Sequence, residues 1–249
     1  MLLLHGIYGA GRNWASVART FVREQPTWGV MPVDLRQHGQ TPLLPGPHTL
    51  EACATDLVTL ARETDTDIRG VLGHSFGGKV ALVYASLADD PPDQVWVIDS
   101  TPDARAPSGS AWEMLSVLRA SPGPFADRES VVSAVETAGF ARPVAQWMAT
   151  NAISRDGAFE WRIDPGDMEE LLNDFFRTDL WSSVERPPIG TETHIVKATE
   201  SGILTPEAVE RIREVGRVTG RVHLHEVAGG HWLNADNPED LIATLVANT

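Results

Sequence analysis

A serine hydroxyl becomes an effective nucleophile only when a nearby base takes its proton and the backbone lifts it clear of its neighbours. Gly73-His74-Ser75-Phe76-Gly77 meets the second condition, because flanking glycines relieve crowding at a tight strand-to-helix turn. A GxSxG string alone arises by chance, so its setting matters. Here the apolar run ending in Val71-Leu72 precedes it and Gly78-Lys79-Val80-Ala81-Leu82 follows, the strand and helix such a turn needs. Ser75 is thus the candidate nucleophile. The Phe76 N–H, at the helix start, can face the oxyanion formed when an acyl carbon is attacked, and a second N–H is expected from Ile7 or Tyr8.

The candidate base is His231, in the glycine-bearing loop Gly229-Gly230-His231-Trp232 after the last strand-like segment. Two acids precede it. Asp99 ends the apolar run Val95-Trp96-Val97-Ile98, and Glu200 follows His194-Ile195-Val196; either strand can end near His231, so chain order leaves both open. Other reactive side chains have simpler readings. His5 shapes the loop after the first strand, and Asp34, Arg36 and His38 fix their own tight loop through charged hydrogen bonds rather than holding a metal or phosphate. His223 and His225, two apart on a strand, share one partly solvated face without a nearby acidic cluster that would make a metal site. Lys79 either pairs with an acidic neighbour or lines the helix surface. Cys53, the single cysteine, recurs with Leu50, Ala54, Leu57 and Leu60 at helical spacing and reads as a packed side chain.

These residues need elements to position them, and the sequence supplies a repeating order. Short apolar strands at 2–4, 30–33, 68–72 and 94–98 alternate with helices at 13–22, 50–62 and 79–88, the second capped by Thr49. Such alternation implies a mostly parallel sheet flanked by helices, an α/β class. It pauses after Pro102. Residues 105–188 contain helical stretches at 112–118, 130–137 and 168–176 but no convincing series of buried strands, and read as an inserted helical cap. Strands return at 193–196 and 221–227, with helices at 206–215 and 239–246, the last opened by Pro238. The expected organisation is a core of residues 1–104 and 189–249 carrying the cap.

Composition narrows the partners. With 249 residues the chain can bury one substantial core. Twenty Lys plus Arg against 34 Asp plus Glu give a net charge of −14, which disfavours nucleic acid or an anionic membrane surface as the main partner. No apolar stretch reaches membrane-spanning length, and the opening Met1-Leu2-Leu3-Leu4 lacks a basic leader, so the chain reads as cytoplasmic. A homo-oligomer is compatible with these residues.

Taken together, His5-Gly6, Asp34-x-Arg36-x-His38-Gly39, the Ser75 turn and Gly230-His231 resemble the α/β-hydrolase superfamily across nearly the whole chain. More narrowly, Gly73 through Lys79, Val97-Ile98-Asp99-Ser100-Thr101-Pro102 and Phe159-Glu160-Trp161-Arg162 resemble the small esterases of the bacterial YbfF and abhydrolase-domain-containing protein 11 group. The resemblance implies an α/β-hydrolase fold in which the base follows the acid along the chain. The wider superfamily commonly carries its acid in a Gly-x-x-Asp pattern, and the matching Ala198-Thr199-Glu200-Ser201 departs from it. The narrower group places an aspartate after the strand following the turn, which matches Asp99. A catalytic set of Ser75, Asp99 and His231 is therefore expected, with Glu200 as alternative acid. Family members usually carry residues, often an antiparallel strand pair, ahead of the His5-Gly6 strand; this chain begins almost on it, so either the N-terminal sheet edge is shortened or the sequence starts late.

The expected activity is hydrolysis of a small or medium apolar acyl ester through an acyl-enzyme, without metal or organic cofactor. Trp112, Leu115, Phe125, Phe140, Trp147, Phe159, Trp161, Phe175, Phe176 and Trp181 make the cap apolar, and most are expected to pack it onto the sheet. Thioesterase, amidase, carbon-carbon bond hydrolase and perhydrolase activities share the same machinery. A noncatalytic binding protein is the reading from another class.

Overall fold

The computed structural model describes residues 1–249. Its six-stranded sheet is wholly parallel, in the order β2 (Met31–Val33), β1 (Leu2–Leu4), β3 (Gly70–His74), β4 (Gln94–Ile98), β7 (Glu192–Ala198), β8 (Val222–Val227). Strands covered on both faces read as continuous apolar runs, and β1 and β3 are buried at every residue. Alternate side chains divide between two cores. Leu2, Leu4, Val71, Val95, Val97 and Ile195 pack on one face with α2 (Leu50–Glu63) and α3 (Phe76–Leu87). Leu3, Leu72, Trp96, Ile98 and Val196 pack on the other with α1 (Ala15–Glu24) and α11 (Pro238–Ala247).

The strand order fixes where a ligand site belongs. From β1 the chain steps outward to β2, then crosses back to β3 and continues toward β8, so the winding reverses between β1 and β3. The loops leaving those strands diverge to opposite faces and open a crevice at their carboxyl ends. That crevice holds His5 to Gly9 on one side and Ser75 on the other.

Helix starts follow local chemistry. Thr49 Oγ1 accepts from Ala52 N at 3.0 Å to open α2, as its sequence predicts. Thr205 and Asn237 cap α9 (Pro206–Thr219) and α11, each with proline in the first turn. Helix α10 (Leu233–Asp236) is a single turn after the His231 loop.

Between β4 and β7 lie α4 (Ser110–Ala120), α5 (Arg128–Thr137), α6 (Arg142–Met148), α7 (Pro165–Arg177) and α8 (Trp181–Glu185), which form the helical cap. The cap also contains an antiparallel hairpin, β5 (Ala152–Arg155) with β6 (Ala158–Trp161), which the sequence reading did not anticipate. The hairpin is only partly covered, so it lacks the buried apolar run that marks the core strands. No helix is long and apolar enough to cross a membrane.

Candidate active site

Ser75 sits between β3 and α3 with φ 52° and ψ −115°, a left-handed conformation that costs a non-glycine residue roughly 1–3 kcal/mol. The surroundings enforce it. Ser75 N donates to Ile98 O at 2.9 Å, which ties the turn to β4. A Cβ on Gly73 would collide with the Gly77 carbonyl, and one on Gly77 would come within 2.6 Å of His5 O. The glycines thus allow the turn to fold tightly on itself and against the first loop.

His231 Nδ1 lies 2.7 Å from Asp99 Oδ2. Asp99 is fully buried, and a buried carboxylate requires partners. Its other oxygen accepts from Ala198 N at 3.1 Å. Glu200 is exposed, and although its backbone N donates to Gly229 O in the histidine loop, its side chain makes no hydrogen bond to His231. Strands β4 and β7 are neighbours, with Ile98 opposite Val196, so acids after either strand emerge at one place. The structure brings Asp99, not Glu200, onto the imidazole.

Ser75, His74, His231, Ile7 and Tyr8 line a cavity of about 280 Å³. The cap contributes Met114, Phe140, Val144 and Trp147 to its walls, and Trp147 lies 5.1 Å from Trp232 of the histidine loop, ring centre to ring centre. Two of the ten large apolar cap residues singled out in the sequence, Phe140 and Trp147, therefore reach the cavity. Trp112, Phe175 and Phe176 instead pack edge to face.

The expected oxyanion donors separate. Tyr8 N donates to His38 Nε2 at 3.1 Å, so this N–H is already committed, which corrects its inclusion among the candidates. Neither Ile7 N nor Phe76 N has a protein acceptor. Phe76 opens α3, where the first N–H groups have no partner within the helix.

His5 and His38 hold the neighbouring loops in place. His5 Nε2 accepts from Leu35 N at 3.0 Å and its Nδ1 lies 2.8 Å from Gly6 O; His38 Nδ1 lies 2.8 Å from Arg36 O. Both rings are neutral. Burial pushes the His5 pKa down to about 4, and burial followed by the adjoining His5 pushes His38 down to about 3. Asp34 accepts from Gly11 N and Gln40 N, and Arg36 holds Asp56 with two bonds of 2.8 and 3.0 Å. These contacts agree with the loop-fixing reading.

Two participants, His74 and Asn151, had no local signal in the sequence. His74 Nε2 donates to His231 O at 2.7 Å, and burial, then the neighbouring His231, lowers its pKa to about 3. Asn151 of the cap donates to Tyr8 O at 2.8 Å, while Tyr8 OH donates to Ala111 O at 2.8 Å, so cap and first loop hold each other. Lys79 neither lines the surface nor pairs with an acid. Its buried ammonium donates to the carbonyls of Asp103, Phe175 and Thr178 at 2.8, 2.8 and 2.6 Å.

Residues 1–244 match the model of the alpha/beta hydrolase family. The chain belongs to that family. It is 26% identical over 258 residues to the sn-1-specific diacylglycerol lipase ABHD11 of Mus musculus, covering 99% of this chain and 80% of the mouse protein. Among solved structures, a marine microorganism esterase superposes with a TM-score of 0.84 at 22% identity, covering 100% of this chain and 94% of that one. The thioesterase domain from the curacin biosynthetic pathway superposes with a TM-score of 0.73 at 19% identity, covering 100% and 90%. This α/β-hydrolase thus resembles the small esterases of the abhydrolase-domain-containing protein 11 group, and its fold is shared with proteins named for ester and thioester chemistry.

Proposed function

We propose that this α/β-hydrolase is a serine carboxylic-ester hydrolase that acts through an acyl-enzyme on small or medium apolar acyl esters. The observation that carries the reading is the 2.7 Å contact between His231 Nδ1 and a buried Asp99 oxygen, beside a cavity that Ser75 and His231 both line. Asp99 holds the proton on Nδ1, which leaves Nε2 to accept the proton of Ser75. Ser75 Oγ attacks the ester carbonyl, and the N–H groups of Phe76 and Ile7 stabilise the oxyanion. His231 returns the proton to the departing alcohol. Water, deprotonated by His231, then attacks the acyl-enzyme, and Ser75 leaves with that proton as the carboxylic acid is released.

The largely apolar cavity wall supports an uncharged acyl chain, and its volume of about 280 Å³ supports a short or medium one. In this reading residues 105–188 act as a cap domain over the core of residues 1–104 and 189–249, and they shape the acyl site through Met114, Phe140, Val144 and Trp147. Turnover of p-nitrophenyl esters across acyl lengths, with matched thioesters and anilides, tests the proposal. Short and medium esters are expected to give the highest kcat/KM. A thioester or anilide preferred tenfold or more would replace the ester assignment.

A further inference from the structure

A second cluster of reactive side chains lies at the opposite end of the sheet from Ser75. Glu192 and His194 are two residues apart near the start of β7 and share one face, and the register sets His223 of β8 directly opposite His194. Glu192 Oε2 lies 3.6 Å from His194 Nε2 and 3.5 Å from His223 Nε2. All three atoms lie within 4.8 Å of one another. Those separations are long for hydrogen bonds, and neither ring nitrogen has a hydrogen-bond partner although both are buried.

We propose that Glu192 Oε2, His194 Nε2 and His223 Nε2 bind one borderline transition-metal ion of the Zn²⁺ class. An ion with bonds of about 2.1 Å in a tetrahedral site holds its ligands about 3.4 Å apart, close to both carboxylate-imidazole separations. The two rings stack with centres 4.8 Å and planes 24° apart, so His223 must turn out of that stack to aim Nε2 at the ion, and its side chain, 37% exposed, has room to turn. Two imidazoles and one carboxylate suit Zn²⁺, Co²⁺ or Ni²⁺ rather than Mg²⁺ or Ca²⁺.

The next layer of contacts fits the same role. His194 Nδ1 lies 3.1 Å from His225 Nε2, so a proton held on His194 Nδ1 leaves the Nε2 lone pair for an ion. Trp96 stacks on His194 with ring centres 4.1 Å apart and planes 11° apart, which fixes the ring. Stacking alone accounts for a buried imidazole; it does not account for two unpartnered nitrogens converging on one carboxylate. His223 and His225 lie on β8 while the acid and the third imidazole come from β7, so no local stretch of sequence joins them. An ion here joins β7 to the edge strand β8 and lies far from the acyl-transfer residues.

Zinc titration of the intact, EDTA-treated protein in competition with a chromogenic chelator tests the proposal. One tight equivalent is expected in wild type and in His231→Ala, with binding weakened tenfold or more in Glu192→Gln and in His223→Ala. Co²⁺ should give the intense visible bands of a tetrahedral site in wild type and lose them in both variants. His194→Ala removes the ring stacked on Trp96, so Glu192 and His223, which are more exposed, carry the test. Absence of a stoichiometric equivalent, or equal zinc affinity in wild type and both variants, would overturn the site.

Discussion

A buried carboxylate that shares one oxygen with a backbone N–H and the other with an imidazole has a narrow task. It fixes which imidazole nitrogen is protonated and favours the cation formed as the serine proton is taken. Asp99 has that arrangement, and Glu200 does not. Asp99→Asn is therefore expected to lower ester kcat by about 1,000- to 10,000-fold, whereas Glu200→Gln stays within about twofold, both variants remaining folded. Steady-state kinetics beside circular dichroism would check this, and the opposite ranking would transfer the acid role to Glu200. That Ser75 and His231 meet at one cavity was legible in the sequence, because the motif around each is written in five or fewer consecutive residues. The acid was ambiguous for a physical reason: β4 and β7 are adjacent and parallel, so a side chain beyond either can reach the same imidazole. His74 and Asn151 were not legible, since their partners lie 157 and 143 residues away.

At the scale of elements, the connection between cap and core depends on polar contacts as well as apolar packing. Lys79 is buried in α3 and reaches the carbonyls of Phe175 in α7, Thr178 just beyond it, and Asp103 at the entry to the insertion. Asp174 of α7 accepts from Leu50 N at 2.7 Å, and Asp167 accepts from Gln37 at 2.7 Å. Lys79→Met leaves three carbonyls without their donor and is expected to lower stability by about 2–4 kcal/mol. Urea unfolding reads this directly; a loss below about 1 kcal/mol would mean that water replaces the ammonium. The core strands and the capped helices were readable because apolar period and cap residues are local signals. The β5–β6 hairpin was not, because its residues are partly exposed and its pairing is set by the cap around it.

At the scale of the whole molecule, the three buried neutral histidines beside the Ser75 crevice link the fold to pH. His5 faces His38 and His74, His38 also faces Asp34, and His74 faces His231 and Asp99. Their folded pKa values, about 4, 3 and 3, lie below the ordinary 6.5 of an exposed ring. Above 6.5 these rings are neutral in both folded and unfolded states and no stability is lost. As pH falls below 6.5 the unfolded chain takes up protons that the folded protein refuses, so stability declines toward pH 3 to 4, by at most about 1.4 kcal/mol per pH unit per histidine. The urea midpoint is expected to fall between about pH 7 and pH 5, and a level or rising midpoint would contradict this linkage. The sheet order explains why the site lies where it does: the winding reverses between β1 and β3, and the cap closes over the crevice left there. Whether that crevice houses an activated serine is tested most directly by labelling the intact protein with a fluorophosphonate and locating the adduct by mass spectrometry. One adduct on Ser75, absent from a folded Ser75→Ala variant, is the expected result; no adduct on folded wild type, or undiminished labelling of Ser75→Ala, would contradict it.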